Sequence, residues 1–290
     1  MSFAEWITTK SLLALGSVAQ ALSHVSRQRL GSFLGRRMMG LSPKRRAITA
    51  DNIAQAIPHL DSKAQAHVMR RSYENLGIVM TELLCIPAMN KSELTSMVKI
   101  PGFERVLDRH RQGKPTIFLS AHYGNWEYLA ITAGILLNAP VTIVAHPQSN
   151  AAIDQRINSY RTRFGNEVIA MGEAARPLVK TLSAGGTVAF LVDQYGQHDK
   201  DPWIEFMGRQ TPTYEAPAAL ALRYNAPIFY AFAERLPDGS YHAPIKELPM
   251  DDLKNDHCGI VELTKRHVRV LEDAIHICPH LWSWQHRRWR

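Results

Sequence analysis

A histidine and a glutamate five positions apart, His122 and Glu127, are the residues of this chain best suited to chemistry. An imidazole can take a proton from a hydroxyl group, and a carboxylate on its other nitrogen can hold the tautomer and stabilise the imidazolium that forms. In one continuous α-helix, residues five apart lie about 140° apart around the axis, so this pair could meet only across a turn. Gly124 and Asn125 favour such a turn. The alternative is that His122 caps a helix and Glu127 is a solvated first-turn acid.

The flanking residues predict a strand before His122 and a helix after it. Residues 116–121 form a short, apolar, β-favouring run after a Gly-Lys-Pro break, which is typical of a buried strand. From Glu127 onward, apolar residues recur at helical spacing. No serine or cysteine stands where a strand-to-helix nucleophile would, so we expect the attacking hydroxyl to belong to a substrate.

Strand and helix patterns alternate through the rest of the chain. Strands are predicted at residues 141–145, 167–171, 187–192, 228–233 and 241–246, and helices at 150–163, 173–182, 216–224 and 259–277. This alternation predicts a three-layer α/β/α domain with a mixed, largely parallel sheet. Reactive groups of such sheets collect at the carboxyl ends of strands, where His122 and a second polar turn, Asp193-Gln194-Tyr195-Gly196, are expected. The loop at residues 196–213 is predicted to be a lid or binding surface.

The first hundred residues predict helices instead. Residues 1–100 are assigned to an N-terminal helical, membrane-associated region and residues 101–290 to the α/β domain, the two forming one integrated unit. The uncharged stretch at residues 11–26 contains several polar residues and is shorter than the ~18 apolar residues that a membrane span needs. Its helical spacing, followed by Arg27 and Arg29, fits an interfacial helix or a helix packed on the domain.

Composition limits the kind of protein and the kind of partner. With 290 residues, 46% hydrophobic and 21% charged, the chain is globular. Its net charge of +8 indicates an anionic partner: nucleic acid, a membrane surface, a phosphorylated lipid or an acidic protein. Three scattered cysteines favour a reducing compartment, and Pro279 between His276 and His280 argues against zinc. No phosphate-loop or dinucleotide-binding motif is present.

The C-terminal segment, residues 281–290, interleaves three tryptophans with three arginines. Such a segment can bind nucleic acid, stack on a sugar, sit among lipid headgroups, or be a plain amphipathic tail. No nucleic-acid-binding signature accompanies it, so nucleic acid is not expected as a partner.

Taken together, these motifs resemble the bacterial lipid A late acyltransferases (lauroyl and myristoyl transferases) of the glycerolipid acyltransferase superfamily, which is marked by His-x4-Asp/Glu. The resemblance covers nearly the whole chain. The matching pieces are Ser-Pro-Lys-Arg-Arg at 42–46 with Asn52 and Pro58, Glu-Leu-Leu at 82–84, Ser-Ala-His-Tyr-Gly-Asn-Trp-Glu at 120–127, Arg-Thr-Arg-Phe-Gly at 161–165, Val-Asp-Gln-Tyr-Gly at 192–196, Phe-Met-Gly at 206–208, and Trp-Ser-Trp-Gln-His-Arg-Arg-Trp at 282–289.

The resemblance implies transfer of a fatty acyl chain from acyl carrier protein or acyl-CoA to a hydroxyl of a lipid A precursor or similar phosphorylated glycolipid. The reaction would take place at the cytoplasmic face of the bacterial inner membrane, on its anionic surface, with no metal and no cofactor beyond the thioester. His122 would be the general base and Glu127 its orienting partner. Substrate contacts are implied for Asn125, Trp126, Arg161, Arg163, Asp193, Gln194, His286 and Arg287.

The chain also departs from the family pattern. His146-Pro-Gln replaces an arginine or lysine that members often carry after the second strand, Ala216 stands near a frequent glycine, and the N-terminal apolar segment is weaker than the anchor of some members. Two alternatives stay open: acylation of another lipid, such as a phosphatidylinositol mannoside, lysophospholipid or aminolipid, and a non-catalytic lipid-binding protein.

Overall fold

The computed structural model describes residues 3–194 and 196–289, with side chains from residue 9 onward. Tyr195 and Arg290, which belong to two of the predicted segments, lie outside the described residues. Within this range the chain folds into N-terminal helices followed by an α/β domain.

Residues 3–83 form helices that the sequence patterns predict. Pro43 begins α3, and the Asp61 side chain caps α4 by accepting a hydrogen bond from the backbone of Ala64. α2 and α4 pack with their backbones in contact, because a Cβ atom on Gly77 would lie only 2.2 Å from the carbonyl oxygen of Gly31. The bounds are α1 Phe3–Ala21, α2 His24–Leu41, α3 Pro43–Ala56 and α4 Ser62–Leu83.

From Lys91 onward, strands and helices alternate. The elements are α5 Lys91–Met97, β1 Val98–Lys99, α6 Glu104–Arg111, β2 Thr116–Ser120, α7 Trp126–Leu137, β3 Val141–Ala145, α8 Ala151–Thr162, β4 Glu167–Ala170, α9 Ala175–Ser183, β5 Thr187–Leu191, β6 Trp203–Phe206, β7 Arg209–Pro212, α10 Ala216–Tyr224, β8 Ile228–Tyr230, β9 Glu234–Arg235, β10 Tyr241–His242, β11 Lys246–Leu248 and α11 His257–Ile277. Short 3₁₀ turns lie at Ile86–Ala88, Met171–Glu173 and Pro279–Leu281.

The central sheet has the strand order β11-β8-β2-β5-β3-β4. All its neighbouring pairs are parallel except β11 with β8. Apolar cores lie on both faces, one including α7 and the other including α9, α10 and α11. The predicted three-layer α/β/α fold with a mixed, largely parallel sheet is therefore confirmed. β2, which leads to His122, lies between β5 and β8.

Two local predictions are wrong. Residues 241–246 do not form one strand, since β10 pairs with β1 and β9 in a small sheet while β11 joins the central one. Residues 196–213 are not a loop throughout, because they contain the β6–β7 hairpin; a role as lid or binding surface stays a prediction. Its turn places Met207 and Gly208 at φ values of 52° and 74°, as a tight hairpin requires. Phe206 is buried and stacks on Trp289.

Hydrogen bonds join the N-terminal helices to the α/β domain. From α4, Ser72 donates to the carbonyl of Trp282 and Asn75 to that of Leu281. Both bonds are buried. The division at residue 100 and the single integrated unit stay predictions. Within the described part of the chain, no helix is long and apolar enough to cross a membrane.

Candidate active site

The neighbouring strands β2 and β5 bring His122 and Asp193 together. Ser120 pairs with Leu191 in the parallel register, so the residues two positions further on leave the sheet side by side. Nδ1 of His122 lies 2.9 Å from Oδ1 of Asp193. The carboxylate beside the imidazole therefore comes from a residue 71 positions after His122 in the chain.

Asp193 is held in one orientation by hydrogen bonds to both oxygens. Oδ2 accepts from the backbone N–H of His122 at 3.0 Å and from the indole N–H of Trp282 at 2.9 Å. Burial alone would raise the pKa of this carboxyl group, but His122, His286 and Trp282 outweigh burial and hold the pKa well below its usual range. Because a carboxylate can only accept, Nδ1 of His122 carries the proton and Nε2 is left as the base.

Glu127 pairs with Arg161 and not, as the sequence motif suggested, with His122. Arg161 donates from Nη2 to Oε1 at 2.6 Å and from Nε to Oε2 at 2.9 Å, and the indole of Trp126 donates to Oε1 at 3.1 Å. Glu127 lies in the first turn of α7, facing the helix α8 that carries Arg161. Burial would lower the pKa of Arg161, but Glu127 raises it overall, so the pair is ionic. A catalytic role of Glu127 stays a prediction.

In the part of the chain that the structure describes, no hydroxyl or thiol group is hydrogen-bonded to Nε2 of His122. Among the described residues, its only hydrogen-bond partner is Nε2 of Gln194, at 3.4 Å. The His122 ring lies between Trp126 and His286, with ring centroids 5.0 Å and 4.9 Å away. Burial, together with the charge of a protonated His122, lowers the pKa of His286 to about 4, so this second imidazole is neutral at pH 7.

A deep apolar cleft opens beside His122. Its empty volume is about 1160 Å³, a figure that includes open solvent. The polar lining includes His122, Glu127, His146, Arg161 and Gln194, and the apolar lining includes Ile100, Phe103, Phe118, Leu129, Ala133, Ile143, Ala189 and Ile245. The cleft lining therefore combines a few polar side chains, His122 among them, with a mostly apolar wall.

The turn between His122 and α7 is fixed from behind. Gly124 has a φ of +58°, and a Cβ atom there would lie 1.6 Å from the carbonyl oxygen of Ala233. Asn125 is fully buried, caps α7 by accepting from Tyr128, and donates to Oε2 of Glu82 at 2.7 Å. The Asn125 side chain therefore holds the turn, and its implied substrate contact stays a prediction.

The family model for bacterial lipid A biosynthesis acyltransferases matches residues 3–290. The chain belongs to this family. It is 24% identical over 235 residues to the lipid A biosynthesis myristoyltransferase of Escherichia coli (strain K12), covering 79% of this chain and 70% of that protein. The same figures hold for lipid A biosynthesis acyltransferase 1 of Shigella flexneri. The protein is thus an acyltransferase, and the hypothesis of a non-catalytic lipid-binding protein is wrong.

Of the other residues with implied substrate contacts in this acyltransferase, some line the cleft and others do not. Trp126, Arg161 and Gln194 line the cleft, whereas Asp193 is buried behind His122 and does not. Arg163 is exposed and contacts the Phe164 ring outside the cleft lining. Arg287 is also exposed, away from the cleft lining. Substrate contacts of all these residues, and of His286, stay predictions.

The C-terminal segment of the acyltransferase is largely interior. Trp282 and Trp284 are buried, so these two rings cannot sit among headgroups or stack on a free sugar. Arg288, one of the three arginines of this segment, is also buried and donates to Thr211 and Thr213 of the hairpin segment. Burial lowers the pKa of Arg288 to about 10. The basic and aromatic pattern of this segment thus reflects packing around Asp193.

Two further site residues carried only weak signals in the sequence. Trp282 orients Asp193, and Glu82 anchors Asn125; both belong to motifs of the family resemblance but had no assigned role. Within the described residues, no group of three or more His, Cys, Asp or Glu side chains is placed to hold a metal ion.

Proposed function

We propose that this protein transfers a fatty acyl chain from a thioester, carried by acyl carrier protein or coenzyme A, to a hydroxyl of a lipid A precursor or similar phosphorylated glycolipid. The observation that carries the proposal is the His122–Asp193 pair at the mouth of an apolar cleft, with no protein hydroxyl or thiol hydrogen-bonded to Nε2 among the described residues. The family membership and the names of both relatives support an acceptor of the lipid A type.

The reaction begins with proton transfer to Nε2 of His122. The acceptor hydroxyl loses its proton to Nε2 as its oxygen attacks the thioester carbonyl carbon. Asp193, hydrogen-bonded to Nδ1, stabilises the imidazolium that forms. The tetrahedral intermediate then collapses, the carbon–sulfur bond breaks, and the proton on Nε2 passes to the departing thiolate. An ester and a free thiol result, and His122 returns to its neutral form.

The apolar cleft holds the acyl chain in this scheme. Its wall is built mainly from β2, β3, β5 and α7, so the chain would extend away from His122 along the sheet. The Glu127–Arg161 ion pair closes the polar side of the cleft and keeps α7 and α8 in fixed relation.

Thioester turnover with defined acceptors tests the proposal. The purified protein should release thiol only when a lipid A precursor with a free hydroxyl is present, and His122→Ala should abolish release while the protein stays folded. Full activity of His122→Ala would sink the assignment.

A deletion strain identifies the acceptor. Loss of one acyl chain from lipid A, seen by mass spectrometry, supports the proposal. An unchanged lipid A with an altered phosphatidylinositol mannoside, lysophospholipid or aminolipid would move the activity to that acceptor. Because a lipid acceptor lies in a membrane, we propose that the reaction takes place at the cytoplasmic face of the bacterial inner membrane, with the protein attached peripherally.

A further inference from the structure

The outer side of α2 carries a row of exposed side chains in which apolar and cationic residues alternate. Val25, Arg29, Phe33, Arg37 and Leu41 follow at intervals of four, so they form a row that winds about 160° around the helix axis with Phe33 at its centre. All five are exposed, and the exposed fractions of the apolar members are 51% for Val25, 43% for Phe33 and 82% for Leu41. This row is the α2 stripe.

The opposite side of α2 accounts for the packing of the helix. Gly31 and Gly35 meet the backbone of α4 so closely that a Cβ atom on Gly35 would lie 2.0 Å from the carbonyl oxygen of Tyr73. Phe33 is two positions from each glycine, which is about 160° around the helix axis. The α2 stripe therefore faces away from the protein, and packing on α4 does not explain its apolar side chains.

The chain segment that contains the stripe carries only positive charges. Residues 6–50 contain eight lysines and arginines and no aspartate or glutamate. Lys44, Arg45 and Arg46 stand in the first turn of α3, where the helix dipole disfavours cations. Among the described residues, Arg29, Lys44 and Arg46 make no ion pair, and Arg37 lies over the Phe33 ring instead. These positions favour an anion from outside the protein.

We propose that the α2 stripe, with Lys44 and Arg46, docks on an anionic lipid bilayer with α2 lying in the plane of the headgroups. A bilayer surface has apolar acyl chains beneath anionic headgroups, and the row of alternating apolar and arginine side chains matches both layers. The apolar side chains can insert, while the arginine stems lie along apolar surface and their guanidinium groups reach the phosphates. The proposal rests on the proposed function, since it names the surface from which the lipid acceptor is taken.

The docking face is joined to the active site by hydrogen bonds. Arg45 donates to the carbonyl of Gln285 at 2.9 Å, and Asn52, on the same helix, donates to that of His286 at 2.7 Å. The His286 ring is 4.9 Å from that of His122. Docking through α2 and the start of α3 thus holds the catalytic histidine near the bilayer, where a lipid acceptor can reach it without leaving the membrane.

Sedimentation with vesicles of phosphatidylcholine and phosphatidylglycerol tests the surface. Replacing both arginines of the stripe (Arg29→Gln with Arg37→Gln) should weaken binding to anionic vesicles roughly 30-fold, from typical values per basic residue. The matched control removes two exposed lysines elsewhere, Lys246→Gln with Lys254→Gln, and should bind as the parent does. Phe33→Ser with Leu41→Ser should also weaken binding, since it removes the inserted side chains.

Several outcomes would overturn the docking proposal. These are unchanged vesicle binding by both stripe variants, an equal loss in the lysine control, or normal vesicle binding with a selective loss of turnover when the acyl donor is acyl carrier protein. The last result would assign the stripe to a protein partner. Turnover of an acceptor dispersed in detergent separates the two proposals. The stripe variants should keep this turnover, because no bilayer is needed. No turnover by the parent protein would refute the proposed function, and the docking proposal would then be judged from vesicle binding alone.

Discussion

Replacing Asp193 by asparagine should remove nearly all acyl transfer while leaving the shape of the site almost unchanged. The two N–H donors of His122 and Trp282 meet Oδ2 at 3.0 Å and 2.9 Å, so the side-chain oxygen of the asparagine must take that place. Its NH₂ group then points at Nδ1 of His122. Because this NH₂ can only donate, Nδ1 must accept, and the imidazole proton moves to Nε2. The base is thereby lost.

The expected size of the effect follows from this change of tautomer. In a histidine–carboxylate pair of the same geometry, the equivalent substitution lowers kcat about 10⁴-fold. Since His122 and Asp193 act as a unit, combining Asp193→Asn with His122→Ala should lower activity no further than His122→Ala alone. Loss of the buried carboxylate should cost about 1–3 kcal/mol of unfolding free energy.

Thiol release from an acyl thioester, measured with a saturating glycolipid acceptor, gives kcat, and denaturant unfolding gives stability. Asp252→Asn is a matched control, because Asp252 is an exposed aspartate paired with Arg266 far from the cleft lining. Its activity should equal that of the parent. Retention of more than a tenth of the parent kcat by a folded Asp193→Asn protein would refute the reasoning and return the orienting role to Glu127.

Three further predictions concern the turn, acid stability and the cleft. Gly124→Ala should lower the unfolding free energy by at least ~2 kcal/mol more than Gly113→Ala does. Both glycines have positive φ, but only Gly124 lacks room for a Cβ atom. Equal losses of unfolding free energy in denaturant titrations would contradict this. Burial lowers the pKa of His267 to about 3 and that of His286 to about 4, below the unfolded value near ~6.5. The unfolding free energy should therefore be highest above pH ~6.5 and should fall by about 2 kcal/mol per histidine between pH 7 and 5. His267→Gln should remove the contribution of His267 to this loss. An unfolding free energy that does not change with pH would exclude the prediction. Ala189→Leu narrows the cleft, so turnover of thioesters of graded length should favour shorter chains, and an unchanged preference would place the acyl chain elsewhere.

Much of the framework can be read from the sequence because it depends on local pattern. The apolar run ending at His122 lies between a Gly-Lys-Pro break and a Gly-Asn turn, and it forms β2 within one residue of the predicted end. Helix α10 has the predicted bounds, Ala216–Tyr224. Placement of His122 and Asp193 at the carboxyl ends of strands follows from the same alternation, since a parallel α/β sheet gathers these ends on one edge.

The identity of the carboxylate that orients His122 was decided by tertiary structure alone. The sequence by itself determined that His122 ends a strand, that a turn follows it, and which family motifs surround it. It could not show that β5 lies next to β2, because strand neighbours are chosen by helix packing and sheet twist across distant segments, and that adjacency delivers Asp193 to Nδ1. Likewise, Glu127 pairs with Arg161 only because α8 packs beside α7. Trp282 and Arg288 are interior only because the β6–β7 hairpin segment covers these side chains.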